Sequence, residues 1–541
     1  MKRDGSIITS VSLSIPYSLP DGSSEYKEEV TSDPDRVDLA LFKVLQDNDD
    51  FLTKINIDPI REQIKWPTHL PVLPEMTIQD TESLLERLST GKALAHFPLP
   101  DDLIKWALNK FNSRKPGELY TEQGRIVSRI KIFRNVWNKH FFKSYPEIFD
   151  CRLVPLNKAH PKVPKPNEMR PIVVTSPIYK LIEIRFADSL HDAFWKLKGF
   201  GPSQFGFMRG MTCASQINRI LNKVFELYQW QTINNKTRIQ PISSLNISIL
   251  FIDFEQAYNS INMWKLYKRM KDEIQTKKLD LDPHHLDYIF FLVRQLKIHI
   301  GHQIFKPIHG VPQGGIISPT LFNFAMHYFL TDLAQTINSL TETQNTPHRQ
   351  ITPERTGMWA DDLAFIIQHL HLNSKEGQSD LKYTIRAYSH HIYTIGLSWG
   401  LRVNWKKSAL MPLNLGWRSN RYASLLSHSA TNPMYDPKTK SCPIILQIIT
   451  GRSILQINLP LVQSYKYLGI IMTQSLRWSK HLEKLRDKAE YISICFYSLR
   501  KAATESRFAY NMWTTFIRII GLRSTCLLSC LLNRSRQTGV V

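Results

Sequence analysis

Apolar residues recur every three or four positions in several stretches of the chain, which is the spacing of one face of an α-helix. Two such stretches flank the segment around residue 200, one lies near residue 85 and one lies near the end. We therefore predict four amphipathic helices, whose apolar positions are Leu84, Leu85 and Leu88; Ile178, Leu181, Ile182, Phe186 and Leu190; Ile217, Leu221, Val224 and Tyr228; and Leu482, Leu485, Ala489, Ile492, Phe496 and Leu499.

Two other stretches are continuously apolar and carry acidic residues at their ends. Residues 244–254 are rich in β-branched side chains, which is typical of a buried strand, and Asp253 stands at its end. Residues 358–368 have apolar flanks on both sides of Asp361 and Asp362, which predicts a hairpin with the acids in its turn. Asp253 and Asp361 are 108 positions apart (361 − 253), so only a tertiary fold can bring them together.

The N-terminal part has a different character. Residues 1–35 are rich in Ser, Asp, Glu and Pro and show no lasting periodicity, so we predict a disordered segment. Residues 36–150 show helical patterns and are predicted to form a mostly helical extension.

The charge of the chain narrows the class of partner. Its 541 residues include 69 Lys and Arg against 47 Asp and Glu, a net charge of +22, which favours binding to a polyanion such as nucleic acid.

Six scattered cysteines without a CxxC pair indicate free thiols in a reducing compartment rather than a zinc site. No apolar run approaches the roughly 18 residues that span a bilayer, and no secretory signal is recognisable.

Paired aspartates at strand ends suit one kind of chemistry in particular. Magnesium prefers carboxylate oxygens on rigid elements, and phosphoryl transfer commonly uses two such ions. An Asp-Asp pair alone is weak evidence, because the pairs Asp49-Asp50 and Asp101-Asp102 also occur here. The segment GVPQGGIISPTLFN, residues 310–323, adds a loop whose glycines allow close backbone approach, followed by a predicted helix.

Taken in order, these segments resemble the reverse transcriptase family, in particular its non-LTR retrotransposon (LINE-like) and group II intron branch. CRLVPLNKAHPKVPKPNEMRPIVVTSPIYKLIE is similar to the fingers motifs, and QFGFMRGMTCASQI to the segment before the first aspartate motif. FIDFEQAYNSI, GVPQGGIISPTLFN, WADD and GLRVNWKKS resemble motifs A, B, C and D. YKYLGIIM resembles the primer grip, and SLRWSKHLEKLRDKA the start of the thumb.

The resemblance implies an α+β right-hand polymerase fold. Fingers are expected over residues 151–245, a palm of antiparallel sheet and helices with insertions over 246–473, and a helical thumb over 474–541. The implied activity is that of an RNA-directed DNA polymerase, a nucleotidyltransferase that extends a primer 3′-hydroxyl with deoxynucleotides. Two Mg²⁺ ions, for which Mn²⁺ can substitute, are the implied cofactors.

The family roles transfer to matching positions of this chain. Asp253, Asp361 and the Phe254 carbonyl resemble metal ligands, and Asp362 resembles a less central carboxylate. The remaining candidates are Lys407 as the acid for pyrophosphate release, Lys165 and Arg170 as triphosphate-binding residues, Tyr258 as the sugar gate, and Gln313 and Gly314 beside the template base and the incoming nucleotide.

Two positions depart from the family pattern: Trp359 stands where Tyr or Phe is usual, and Gly315 where Ser is frequent.

Implied partners are an RNA template, a DNA primer and deoxynucleoside triphosphates, with a separate endonuclease and no membrane. The tail from Gly521 does not resemble a continued domain, so we expect a truncated element or an inaccurate gene end. We also expect a retroelement origin and an intracellular location in nucleus or cytoplasm, with an organelle left open. The alternatives are a non-catalytic, domesticated or maturase-like RNA-binding protein and a viral RNA-directed RNA polymerase; Ala360 before the acid pair and the PQG loop disfavour the latter.

Overall fold

The computed structural model describes residues 11–18, 24–55, 75–88, 118–120, 126–128, 146–158, 162–236, 246–370, 375–413, 444–450, 453–487 and 490. Its helices are α1 Pro34–Ile55, α2 Ile78–Arg87, α3 Pro177–Trp195, α4 Cys213–Lys236, α5 Ala257–Ser260, α6 Met263–Gln275, α7 Pro283–Arg294, α8 Ser318–Thr343 and α9 Lys375–Ser398. Its strands are β1 Val11–Ser18, β2 Ser24–Thr31, β3 Glu118–Tyr120, β4 Ile126–Ser128, β5 Asp150–Asn157, β6 Met169–Val174, β7 Asn246–Ile252, β8 Phe254–Glu255, β9 Lys297–Ile300, β10 Gln303–Phe305, β11 Thr356–Trp359, β12 Asp362–His369, β13 Arg402–Val403, β14 Ala409–Pro412, β15 Ile444–Thr450, β16 Ser453–Leu459, β17 Ser464–Tyr467 and β18 Ile470–Thr473.

The chain divides into two compact units, each assembled from three segments. The first unit comprises Met1–Gly201, Glu255–Thr331 and Thr394–Arg402. The second unit comprises Pro202–Phe254, Asp332–Tyr393 and Val403–Val541.

A four-stranded antiparallel sheet in the order β11-β12-β7-β14 forms the centre of the second unit. Strand β7 is almost entirely buried, as its continuous apolar sequence predicts. One face of α4 packs on this sheet, and Gly357 on β11 permits the close approach because a Cβ there would lie 2.8 Å from the Ile220 side chain. The shared core includes Ile217, Leu221, Val224, Ile249, Phe251, Ala364, Ile366 and Met411.

A second sheet, in the order β10-β9-β5-β6, belongs to the first unit. Strands β5 and β6 are antiparallel, whereas β9 runs parallel to β5. Helix α3 contacts two further helices through aromatic rings: Phe186 lies 5.1 Å from Tyr288 on α7, and Phe194 lies 5.1 Å from Phe324 on α8. The buried residues of α3 include both of these phenylalanines.

Several sequence predictions can be compared with these elements. The strand ending before Asp253, the hairpin around Asp361 and the helices now called α3 and α4 are confirmed. Residues 1–35, predicted to be disordered, instead contain the antiparallel hairpin β1-β2; apolar residues alternate with polar ones along β1, which is the pattern of a strand. The two units also divide the chain differently from the predicted boundary at residue 245, because α4 shares its core with β7.

The predicted thumb helix lies largely outside the described residues, which end at 487 apart from residue 490. Its two first apolar positions, Leu482 and Leu485, are exposed. Within the described ranges, no helix is both long enough and apolar enough to cross a bilayer.

Candidate active site

The second unit brings three aspartates to one end of its sheet. Leu363 on β12 pairs with Ile252 on β7, so Asp362 and Asp253, the next residues outward on the two strands, lie at the same end. Trp359 pairs with Asp362, which leaves Ala360 and Asp361 as the two-residue turn of the hairpin. Ala360 adopts the positive φ of 57° that such a tight turn requires.

The charges of these aspartates influence one another. Burial, together with the negative charges of Asp361 and Asp253, raises the pKa of Asp362 to about 7. A divalent cation would relieve this repulsion, and three carboxylates at one sheet edge supply the hard oxygen donors that Mg²⁺ prefers. Among the described residues, no group of three or more His, Cys, Asp or Glu side chains is arranged so that it could hold a metal ion by itself. Magnesium is commonly held by one or two carboxylates with waters and phosphates, so the donor set fits this cation.

A turn near residue 405 supports the backbone of Asp253. The Asp253 carbonyl accepts a 2.8 Å hydrogen bond from the Asn404 N–H, and the Asp253 N–H donates to Ser408 Oγ at 3.1 Å. Lys407 lies in this turn with an exposed side chain, and its carbonyl accepts a 2.9 Å hydrogen bond from the Tyr465 hydroxyl. The turn therefore places Lys407 in the same unit as the aspartates.

Tyr465, the first residue of the YKYLGIIM segment, was not among the individual site residues predicted from the sequence. Its ring stacks on Phe251 of β7, with centroids 4.2 Å apart and an interplanar angle of 9°. Burial raises the pKa of its hydroxyl, and the charges of Asp253 and Asp362 raise it further. The proximity to these acids indicates that the YKYLGIIM segment flanks the aspartate cluster.

The first unit holds Tyr258 and the loop that follows β10. The Tyr258 ring is parallel to that of Phe322 on α8, at 4.4 Å between centroids and 4° between planes. Its carbonyl accepts a 2.8 Å hydrogen bond from the Val311 N–H. Gly310 lies so close to this segment that a Cβ there would approach the Asn259 backbone to 2.4 Å.

Gln313 and Gly314 lie against β6. The Val173 N–H donates a 2.7 Å hydrogen bond to the Gln313 carbonyl, and a Cβ on Gly314 would lie 2.3 Å from the Val173 carbonyl oxygen. Arg170, on the same strand, has an exposed side chain. Lys165, also exposed, begins the short 3₁₀ turn before β6, where its N–H donates to the Glu168 carboxylate at 3.0 Å. The first unit therefore groups Gln313, Gly314 and Arg170 around β6.

A buried carboxylate that was not predicted from the sequence holds the end of the 310–315 loop. Glu183 on α3 is inaccessible to solvent, and its Oε2 accepts a 3.0 Å hydrogen bond from the Ile316 N–H. Burial raises its pKa to about 7, although the N–H groups of Ile316 and Ile317 oppose that rise. A Cβ on Gly315 would lie 2.8 Å from Glu183 Oε1 and 2.5 Å from Ser318 Oγ. A side chain at position 315 would therefore require the Ser318 and Glu183 side chains to move.

Asp49 is a second residue whose position could not be read from the sequence. Within the Asp49-Asp50 pair, it is Asp49 on α1 that is buried, and it accepts hydrogen bonds from the N–H groups of Ile308 at 2.8 Å and His309 at 3.0 Å. Burial raises its pKa to about 6. Helix α1 is thereby attached to the segment that enters the 310–315 loop.

Comparison with known proteins is consistent with this arrangement. Residues 160–472 match the family model described as reverse transcriptase (RNA-dependent DNA polymerase). Two Drosophila melanogaster proteins are similar: the probable RNA-directed DNA polymerase from transposon BS, 23% identical over 59% of this chain, and that from transposon X-element, 21% identical over 60%. The putative COX1/OXI3 intron 1 protein of Saccharomyces cerevisiae is 25% identical over 42% of this chain and 23% of its own length.

The matched part of this chain spans only 29% of the length of each of the two fly proteins. Among solved structures, apo telomerase from Candida tropicalis truncated from its C-terminal domain aligns at a TM-score of 0.35 and 12% identity, over 67% of this chain and 62% of the other. The family match extends over more than half of the chain and contains the aspartate strand, the 310–315 loop and the acidic hairpin in order. This chain belongs to the reverse transcriptase family.

Proposed function

We propose that this chain is an RNA-directed DNA polymerase that extends the 3′-hydroxyl of a DNA primer along an RNA template. The observation that carries the proposal is the hairpin between β11 and β12, which presents Asp361 and Asp362 beside Asp253. The mutual effect of these charges on the pKa of Asp362 supports a role in binding cations. The relatives named above as RNA-directed DNA polymerases support an RNA template and a DNA product.

Asp253, Asp361 and the Phe254 carbonyl would hold two Mg²⁺ ions, for which Mn²⁺ can substitute, and Asp362 would act as a secondary carboxylate. When bound, such ions lower the pKa of an attacking hydroxyl and neutralise the leaving pyrophosphate. The protein contributes rigidity: Asp253 ends a buried strand and its backbone is held on both sides by the turn at Asn404 and Ser408.

The other candidates would act on the nucleotide. Lys165 and Arg170 would bind the triphosphate through their exposed cationic side chains, and Tyr258 would exclude the ribose 2′-hydroxyl. The Gln313-Gly314 backbone, tied to β6, would lie beside the template base and the incoming deoxynucleotide. Lys407 would donate the proton that leaves with pyrophosphate.

In this proposal the fold is that of a right-hand polymerase. The sheet β11-β12-β7-β14 would be the palm, the sheet β10-β9-β5-β6 would belong to the fingers, and the segment from residue 474 would begin the thumb. We further propose that a retroelement encodes the chain, that it acts inside the cell, and that a separate endonuclease prepares its primer.

Primer extension on an RNA template with deoxynucleotides tests the proposal. Asp253→Asn and Asp361→Asn should each reduce the rate by roughly a thousandfold or more, because a metal-positioning charge is lost. Asp280→Asn is the matched control: Asp280 forms an exposed ion pair with Lys196, and such pairs contribute little. Near-normal extension by either site variant, or wild-type protein that binds RNA without extending any primer, would contradict the proposal.

A further inference from the structure

The side chain of Gln204 uses both ends of its amide to hold the turn of the acidic hairpin. Its Oε1 accepts hydrogen bonds from the Ala360 N–H at 3.0 Å and from the Gly206 N–H at 2.8 Å. Its Nε2 donates to the Ala360 carbonyl at 3.2 Å. Gln204 is 2% exposed, so these bonds are shielded from water. The two backbone groups of Ala360 are therefore both bound by one buried side chain.

The backbone next to Gln204 lies directly on the same turn. The Phe205 N–H donates to the Met358 carbonyl at 3.0 Å, and Gln204 forms an isolated parallel bridge with Met358. Gly206 is packed so tightly that a Cβ would lie 2.2 Å from the Ala360 nitrogen. The segment 204–206 thus follows the edge strand β11 to its end and covers the turn.

The turn needs such support. Ala360 has a φ of 57°, a left-handed conformation that is unfavourable for a residue with a Cβ. Two-residue hairpin loops form more than one turn type, and a catalytic group must be held within about 0.5 Å of its productive position. Two hydrogen bonds from Gln204 to the backbone of the first turn residue hold the turn in one conformation.

We propose that Gln204 is a positioning residue that holds Asp361 in place by bracing Ala360. It acts through the backbone of the hairpin and does not itself contact a metal or a nucleotide. A neutral amide suits the task because it offers a donor and an acceptor at once, whereas a carboxylate would face the Ala360 carbonyl with like charge. The kinetic part of this inference rests on the proposed polymerase function, while its structural part does not.

Hydrogen exchange and kinetics together test the brace. In Gln204→Met, which keeps the length of the side chain but makes no such bonds, exchange of the Ala360 amide should accelerate about tenfold or more, as expected for a loss near 1.4 kcal/mol. The value of kcat should fall about tenfold to a hundredfold, the scale of a misplaced catalytic group, with an unchanged KM for primer–template. Gln368→Met, a change of a buried glutamine toward the far end of β12, should alter neither.

Gln204→Glu provides a second, independent test. A protonated carboxyl can reproduce the donor and the acceptor of the amide, whereas the ionised form cannot. Burial favours the protonated form, and Arg219, which donates to the hydroxyl of the neighbouring Ser203, opposes it. The ratio of variant to wild-type kcat should therefore rise about fivefold or more between about pH 8.5 and about pH 6.5.

The outcomes separate this inference from the proposed function. Wild-type exchange at Ala360 in Gln204→Met would overturn the brace whatever the activity. A fall in kcat without faster exchange would also overturn it, because Gln204 would then act on substrate. If wild type extends no primer, the polymerase proposal fails. Hydrogen exchange at the Ala360 amide then still tests whether Gln204 holds the turn. If Gln204→Met does not fold, a pH-independent ratio for Gln204→Glu would overturn the inference and a rising ratio would support it.

Discussion

Ser408 Oγ accepts a 3.1 Å hydrogen bond from the backbone N–H of Asp253. The same hydroxyl donates to the Asn404 carbonyl at 2.9 Å and is completely buried. Asp253 follows the last residue of β7 that takes part in the strand ladder, and the Ser408 hydroxyl accepts from its N–H just beyond that ladder. A serine 155 residues further along the chain therefore orients the first aspartate of the cluster.

Ser408→Ala removes the hydrogen bond that the Asp253 N–H donates to Ser408 Oγ. We expect a loss of about 0.5–1.5 kcal/mol in the free energy of unfolding, the net contribution of one hydrogen bond. Primer extension should slow mainly through kcat, since the change shifts Asp253 rather than a nucleic-acid contact. Urea denaturation and steady-state extension measure the two effects. The control is Ser339→Ala, whose exposed hydroxyl bonds only within α8; equal effects of both variants would contradict the role of Ser408.

Glu183→Gln should change how stability depends on pH. The pKa of Glu183 is raised to about 7 in the folded state, chiefly by burial, so between the ordinary pKa and about 7 the folded state holds a proton that the unfolded state has lost. Stability from this group is therefore highest at acidic pH and falls as pH rises toward 7. Above that, the ionised buried carboxyl costs about 3 kcal/mol.

Glutamine avoids this cost and can still accept the Ile316 N–H. The free energy of unfolding of Glu183→Gln should therefore exceed that of wild type near pH 8, and the two should converge near pH 5. Glu342→Gln, at an exposed position on α8, is the control and should show no such crossover. A difference between Glu183→Gln and wild type that stays constant with pH would contradict the raised pKa.

Tyr258→Ala should relax the choice of sugar. On the proposed function, the ring collides with the ribose 2′-hydroxyl, and removing it should admit ribonucleotides about ten- to a hundredfold more readily, a change of roughly 1.4–2.7 kcal/mol. Tyr258→Phe keeps the ring that stacks on Phe322 and should keep the discrimination. The measurement is the ratio of kcat/KM for the two nucleotides opposite one template base. If alanine leaves that ratio unchanged, Tyr258 serves only to pack against Phe322.

Binding to an RNA–DNA hybrid should weaken steeply with salt. The net charge of +22 implies release of counterions from the nucleic acid on binding. If roughly six phosphates are contacted, affinity should drop about a thousandfold between about 50 and about 200 mM salt. Asp253→Asn combined with Asp361→Asn should bind at least as tightly as wild type, because acids facing phosphates repel. A flat response in a filter-binding titration would exclude the basic surface as the binding track.

The strand and the hairpin that carry the three aspartates could be predicted from the amino-acid sequence. The continuous apolar run before Asp253 predicts a buried strand, and the apolar flanks of Asp361 predict a hairpin, because periodicity and turn position are local properties. The order of the motifs likewise indicated the reverse transcriptase family, which the match over residues 160–472 confirms. Residue types alone also indicated that hard oxygen donors were available for a cation.

The folded structure alone reveals which distant polar groups hold the acidic hairpin of the second unit and which hold the 310–315 loop of the first unit. Gln204 bonds to Ala360 156 residues away, and Asp49 bonds to the His309 N–H 260 residues away. Neither partner could be identified from the sequence, because a single hydrogen bond between remote segments leaves no periodic pattern. In the sequence, Glu183 resembles any acidic residue of a helix; the fold places its carboxylate next to Gly315. Burial and pairing of single polar groups depend on the complete packing of the chain, so only the folded molecule specifies them.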